Sequence, residues 1–188
     1  MLAIKDRGGW YGGMKYNDFD IDLKYSLEAR ENELFDTFYY RVFSNLRDIE
    51  LVMDKERQRK GIDKILYFNN GKQVSIDEKK RRKDYGDILL ELWSVWEEKK
   101  KGWLLTAQCD YIVYAVMPSK KVYLLPTLLL GKAWEKNKGT WVEKAKDKNN
   151  GFYIVKALNK RYSTISIAIP TEILLSSITE EMKQDLRE

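Results

Sequence analysis

Two aspartates and a lysine carry the clearest chemical possibility in this sequence. Asp63 stands fourteen residues before Asp77, which opens the run Asp77-Glu78-Lys79. Between them, Asn69-Asn70-Gly71-Lys72 is a turn signal flanked by the alternating segments Gly61-Ile62-Asp63-Lys64-Ile65-Leu66 and Val74-Ser75-Ile76-Asp77. That pattern predicts two strands joined as a hairpin. Strand side chains alternate between faces, so Asp77 and Lys79 share one face and Ile76 takes the other. A hairpin turning near Asn70-Gly71 brings Asp63 back beside Asp77. Two carboxylates with an amine beside them suit one divalent cation and one phosphate.

Other chemistries are narrowed by composition. The chain has no histidine and one cysteine, Cys109, which removes Ser-His-Asp and Cys-His catalysis and leaves no ligand set for zinc. Carboxylates, lysines, hydroxyls or a hard metal must do the work. A lone cysteine forms no internal disulfide, so a reducing compartment is expected, the cytoplasm. With 188 residues and 44% hydrophobic content, one domain spanning 1–188 can bury an adequate core. Its longest apolar runs, such as 123–130 with Pro126 inside, are too short to cross a membrane, and no signal-peptide core is visible. No membrane partner is expected.

The charge is concentrated on the same stretch. Residues 54–84 hold eleven Lys and Arg against six Asp and Glu, while the rest of the chain balances. Lys55, Arg57, Arg59 and Lys60 precede the hairpin, and Lys80, Arg81, Arg82 and Lys83 follow Lys79. A lysine-rich run alone is usually a solvated face. Around an acidic pair, it suits a polyanion held in place while a cation acts on it.

The remaining elements must position that pair. Residues 18–25 alternate strictly and predict a half-buried strand, preceded by a mobile segment over 1–17. From Ser26 to about Leu46 the period becomes helical, with Leu27, Leu34, Phe35, Phe38, Val42 and Leu46 on one stripe. Glu31 falls inside that stripe and Glu28 at its margin. A carboxylate on a core-facing surface needs a cation or a lysine as partner. Residues 88–96 predict a strand with Glu91 and Trp93 on one face. Strands follow over 110–117 and 121–125, turned by Pro118-Ser119-Lys120, then a helix over 127–137 and a charged loop at 144–150. Strands at 152–157 and 164–169 precede a last helix opened by Pro170-Thr171-Glu172. Trp93, Trp96 and Trp103 belong by type to a core, with base stacking as the alternative.

On Glu31, Gly61-Ile62-Asp63 and Ile76-Asp77-Glu78-Lys79, the chain resembles the PD-(D/E)XK nuclease superfamily. The run Asp20-Ile21-Asp22-Leu23-Lys24-Tyr25 and the later Gly102-Trp103 make it most similar to small phage-encoded members. The likeness covers about residues 18–125. Ile62 stands where the superfamily has proline, and Asp77 where glutamate is commoner. The resemblance implies an α/β fold with a restriction-endonuclease-like core, a mixed central β-sheet flanked by helices. It also implies a Mg²⁺- or Mn²⁺-dependent endonuclease acting on DNA, in the host cytoplasm if phage-encoded. Asp63, Asp77 and the backbone carbonyl of Glu78 would hold the cation. Lys79 would position the attacking water and contact the phosphate, and Glu31 would orient water or complete a second metal site. Glu28 and Glu91 stand as supporting acids. RNA stays open as a target, and a homodimer is compatible.

Three alternatives stay open on the residues themselves. The register Glu78-x-Lys80 would use the opposite strand face, but it directs Asp77 and Lys79 into the apolar layer. A nucleic-acid-binding module could keep the fold and basic surface without catalysis. An interaction subunit of a larger assembly would show a large apolar patch around Trp93 to Trp103.

Overall fold

A computed structural model describes residues 4–6, 29–147 and 150–187, with side chains from residue 32 onward. In chain order the elements are β1 (Ile4–Asp6), α1 (Ala29–Val42), β2 (Leu46–Leu51), α2 (Lys55–Arg59), β3 (Lys64–Phe68), β4 (Gln73–Arg81), β5 (Asp87–Val95), β6 (Lys100–Lys101), α3 (Trp103–Thr106), β7 (Tyr111–Val116), β8 (Lys121–Pro126), α4 (Thr127–Lys146), β9 (Tyr153–Leu158), β10 (Ser163–Pro170) and α5 (Thr171–Asp185). The fold is mixed α/β, with helices flanking mixed sheets. The strand expected over 18–25, Glu28 and most of 1–17 lie outside the described residues.

The described chain divides into two compact units, each with a five-stranded sheet. The hairpin unit takes residues within 21–84 and 107–128, and its strands run in the order β2-β3-β4-β7-β8. Neighbours there are antiparallel except β4 and β7, which run parallel. The second unit takes residues within 1–20, 85–106 and 129–188, in the strand order β1-β9-β10-β5-β6. Only β1 and β9 are parallel in that sheet.

The predicted hairpin is present. Asn69 to Lys72 form the turn, and Gly71 takes φ +79°, a left-handed conformation that glycine adopts without Cβ strain. Lys64 pairs with Ile76 and Leu66 with Val74. One face of β3 and β4 therefore presents Leu66 and Ile76 to α1, where Phe35, Phe38 and Tyr39 close a core with Val113 and Ala115. Burial of such side chains contributes about 1.5–3 kcal/mol each, so this contact fixes the sheet face that α1 covers.

Sequence periodicity overran the end of α1. The helix stops at Val42, which is exposed rather than part of the stripe, and Tyr39 is the buried residue instead. Asn45 adopts φ +65°, a conformation asparagine tolerates better than most residues, and redirects the chain. Leu46 then opens β2, an edge strand that the sequence reading did not separate from the helix. The helix α2 was also missed inside the charge run, although Asp54 accepts a hydrogen bond from the Glu56 amide as its cap (2.7 Å). In the second unit β5, β9, β10 and α5 fall close to their expected places. The helix expected over 127–137 instead runs to Lys146, because its buried face continues through Trp141 and Ala145.

Candidate functional site

Extending the β3–β4 register by one step sets Asp63 opposite Asp77. Two backbone bonds lock this end of the hairpin: the Asp63 amide donates to the Ile76 carbonyl (2.7 Å), and the Val52 amide donates to the Asp63 carbonyl (2.8 Å). The Asp63 side chain is held as well, since its Oδ2 accepts from the Glu78 amide at 2.9 Å. Its carboxyl group therefore points along the face of β4 that carries Asp77 and Lys79.

Asp77 is 1% exposed. Its Oδ1 pairs with the Lys79 ammonium, whereas its Oδ2 is buried and accepts no hydrogen bond among the described residues. Burial pushes this carboxyl up to about 7, and the adjacent Asp63 carboxylate pushes in the same direction against the pull of Lys79. Two facing carboxylates repel, and a proton on Asp77 or a cation between them would relieve that repulsion beyond what Lys79 already does. Gly61 supplies the space. Its φ is +71°, and a Cβ there would stand 3.2 Å from Asp77 Oδ2.

The donor set fits a hard cation in part. Asp63 and Asp77 offer carboxylate oxygens, and an orphaned buried oxygen is what a cation would satisfy. Among the described residues no three His, Cys, Asp or Glu groups form a metal-holding cluster. Mg²⁺ uses one or two carboxylates with waters and substrate phosphate, so two suffice for that ion. Glu31 lies on α1 with its side chain outside the description. Glu91 belongs to the second unit, where its Oε1 accepts from the Trp103 amide at 3.3 Å.

Glu78 occupies the opposite face, as strand alternation requires. Its carboxylate is part-buried, accepting from Tyr39 Oη (2.7 Å) and Lys64 Nζ (3.0 Å), while Lys64 also reaches Asp36 (2.8 Å). Burial raises the Glu78 carboxyl above its ordinary range, and Lys64 opposes that shift. Burial likewise drives the Tyr39 hydroxyl far upward, with Glu78 adding to it, so Tyr39 stays a donor. Sequence reasoning missed this cluster. Its signal was the shared phase of Lys64, Ile76 and Glu78, three residues on the face that α1 covers. Glu78 and Lys80 thus face the helix layer, with Lys80 Nζ 5.6 Å from the Phe35 ring, and Asp77 and Lys79 face away from it.

The basic residues flank the acidic pair along the chain. Lys55, Arg57 and Arg59 lie on α2, just before Gly61, where Arg57 reaches Glu50 (3.8 Å) and Lys60 reaches Glu56 (3.2 Å). These are open surface pairs, worth little in stability. Arg81 continues the Asp77–Lys79 row to the end of β4, and Arg82 and Lys83 follow as exposed side chains. Cys109, which Asp77 influences electrostatically, is buried, and burial pushes its thiol up to about 11. An uncharged thiol of this kind is a poor nucleophile. Comparison of the chain with family models, characterised proteins and solved structures yields no match.

Proposed function

We propose that this chain is a metal-dependent nuclease that hydrolyses DNA phosphodiester bonds, as the PD-(D/E)XK resemblance implies, on a restriction-endonuclease-like core. The observation that carries the reading is the facing pair Asp63 and Asp77, with a buried donorless Oδ2 and Lys79 on the same strand face. Asp63 and Asp77 would hold Mg²⁺ or Mn²⁺, with the Glu78 carbonyl and Glu31 as further donors. A bound divalent ion would polarise the phosphate and lower the pKa of a nearby water. Asp63 is held for this by the Glu78 amide, so its free oxygen stays directed at the site. Lys79, 27% exposed, can turn from Asp77 to a phosphate oxygen and offset the negative charge that develops there. Lys55, Arg57, Arg59, Lys60, Arg81, Arg82 and Lys83 would hold the backbone without reading sequence, whereas Lys80, expected among them, faces α1.

Supercoiled plasmid incubated with Mg²⁺, Mn²⁺ or EDTA tests the proposal. Nicking or linearisation with either ion, abolished by EDTA, is the expected result. An intact plasmid under all three conditions refutes it. One observation favours a non-catalytic binding module instead: Lys79 is already paired with Asp77, with no third acid placed beside them among the described residues. In that case plasmid mobility shifts while the DNA stays uncut.

A further inference from the structure

Two tight turns of the second unit meet at one end of its sheet. Trp96 to Lys99 join β5 to β6, and Asn159 to Tyr162 join β9 to β10. The Trp96 amide donates to the Ser163 carbonyl (2.8 Å), and the Ser163 amide and hydroxyl donate to the Glu97 carboxylate (2.8 and 2.5 Å). The Asn159 amide closes its own turn on the Tyr162 carbonyl at 2.8 Å. The turns are thus fixed to one another by backbone and carboxylate bonds.

What they present is basic and aromatic. Lys99, Lys100, Lys101, Lys160 and Arg161 are all exposed, against the two carboxylates Glu97 and Glu98. Glu97 is engaged by Ser163, so its charge is partly neutralised by donors. Lys99 sits at φ +55°, which turns its side chain back so that Nζ lies 3.1 Å from the centre of the Trp96 ring. Trp93 meets Trp96 edge to face, with centroids 5.8 Å apart, and braces the indole. Trp96 keeps part of its surface in solvent.

We propose that these paired turns are a second nucleic-acid contact, in which an unpaired base stacks on Trp96 while Lys99, Lys100, Lys101, Lys160 and Arg161 hold the adjoining phosphates. A braced aromatic face ringed by cations is how single strands are bound without sequence preference. The Lys99 ammonium over the indole shows that this ring face is reached from outside by a polar partner, and such an exposed cation–π contact is weak enough to yield to a base. A lipid surface fits less well. Membrane insertion needs protruding apolar side chains, and none of the widely exposed large hydrophobic residues lies in either turn. The proposal is independent of cleavage at Asp63 and Asp77.

Fluorescence anisotropy of a labelled oligothymidine strand, with EDTA present so that nothing is cut, tests it on the full chain. An abasic strand of equal length and phosphatidylserine vesicles serve as comparisons. Trp96→Ala should weaken oligothymidine binding about 10-fold, as loss of one stacked base does, and leave the abasic strand nearly unaffected. The double change Lys160→Ala with Arg161→Ala alters only exposed side chains. It should reduce the log-log salt slope by about 1.4, at roughly 0.7 per phosphate released on a single strand. The proposal is overturned if both variants bind like the parent chain. It is equally overturned if Trp96→Ala weakens the two strands alike, or if the vesicles bind and the oligonucleotides do not.

Discussion

Replacing Asp77 with asparagine should make the protein more stable, by an amount that depends on pH. The Asp77 carboxyl rises from an ordinary value of 3.8 to about 7, because burial and the neighbouring Asp63 disfavour its charge. The native state therefore holds this proton more tightly than the unfolded chain. Stability from the protonated group is fully present below about pH 4 and is lost as pH rises to about 7. A tenfold change in proton affinity is worth about 1.4 kcal/mol, so the carboxylate costs the fold about 4 kcal/mol at about pH 8 and about 2 kcal/mol at about pH 5. Asparagine carries no charge, and its amide can donate where Asp77 Oδ2 has no donor. Urea unfolding in EDTA, followed by tryptophan fluorescence from about pH 4 to pH 8, should show the gap between Asp77→Asn and the parent widening by about 1.4 kcal/mol per pH unit until it levels near pH 7. Millimolar Mg²⁺ should then narrow the gap, since an ion that binds the native parent stabilises it and has less to bind in the variant. A gap that does not change with pH, or a variant less stable than the parent at about pH 8, would refute the reasoning.

Three further expectations concern the same unit. Lys79→Ala should abolish most plasmid cleavage while leaving DNA binding by gel shift within about 2-fold, because it removes a contact made to developing charge; unchanged cleavage would place the chemistry elsewhere. Arg81→Ala with Arg82→Ala should raise the apparent substrate constant more than it lowers the saturated rate and should reduce the salt slope on duplex DNA by about 1.8, at roughly 0.9 per phosphate. Gly61→Ala should lower the unfolding free energy by about 1–2 kcal/mol from its left-handed backbone alone, read by urea titration, and weaken cleavage by crowding the Asp77 oxygen.

The hairpin was legible because each of its signals is local. Asn70-Gly71 marks the turn, period-two alternation marks the faces, and together they set Asp63 opposite Asp77 before any long-range contact is considered. The pairing of Glu78 with Tyr39 and Lys64 was not legible. Alternation puts its side chain on the face of Ile76, but its partners Tyr39 and Lys64 come from a helix and a neighbouring strand, so their convergence is not local. The boundary at Leu46 was hidden for a different reason. Leu46 satisfies both the helical stripe and the opening of a strand, and only the left-handed Asn45 separates the two. Separation into two sheets was hidden too, because pairing β10 with β5 and β4 with β7 depends on residues far apart in sequence.

That division bears on how the chain is made. Residues 85–106 interrupt the hairpin unit, so β4 cannot meet its parallel neighbour β7 until the whole interruption and residues 111–116 have left the ribosome. Meanwhile β5 waits for β10, with Asp87 finally opposite Pro170 near the far end of the chain. A nascent polypeptide therefore carries two incomplete sheets with open hydrogen-bonding edges, a state that invites pairing with other chains and slows folding. Charged side chains on an unfinished edge counter such pairing. Lys79, Lys80, Arg81, Arg82 and Lys83 stand at the end of the strand left waiting in the hairpin unit. A basic run at that end would disfavour pairing with other chains while the sheet is unfinished.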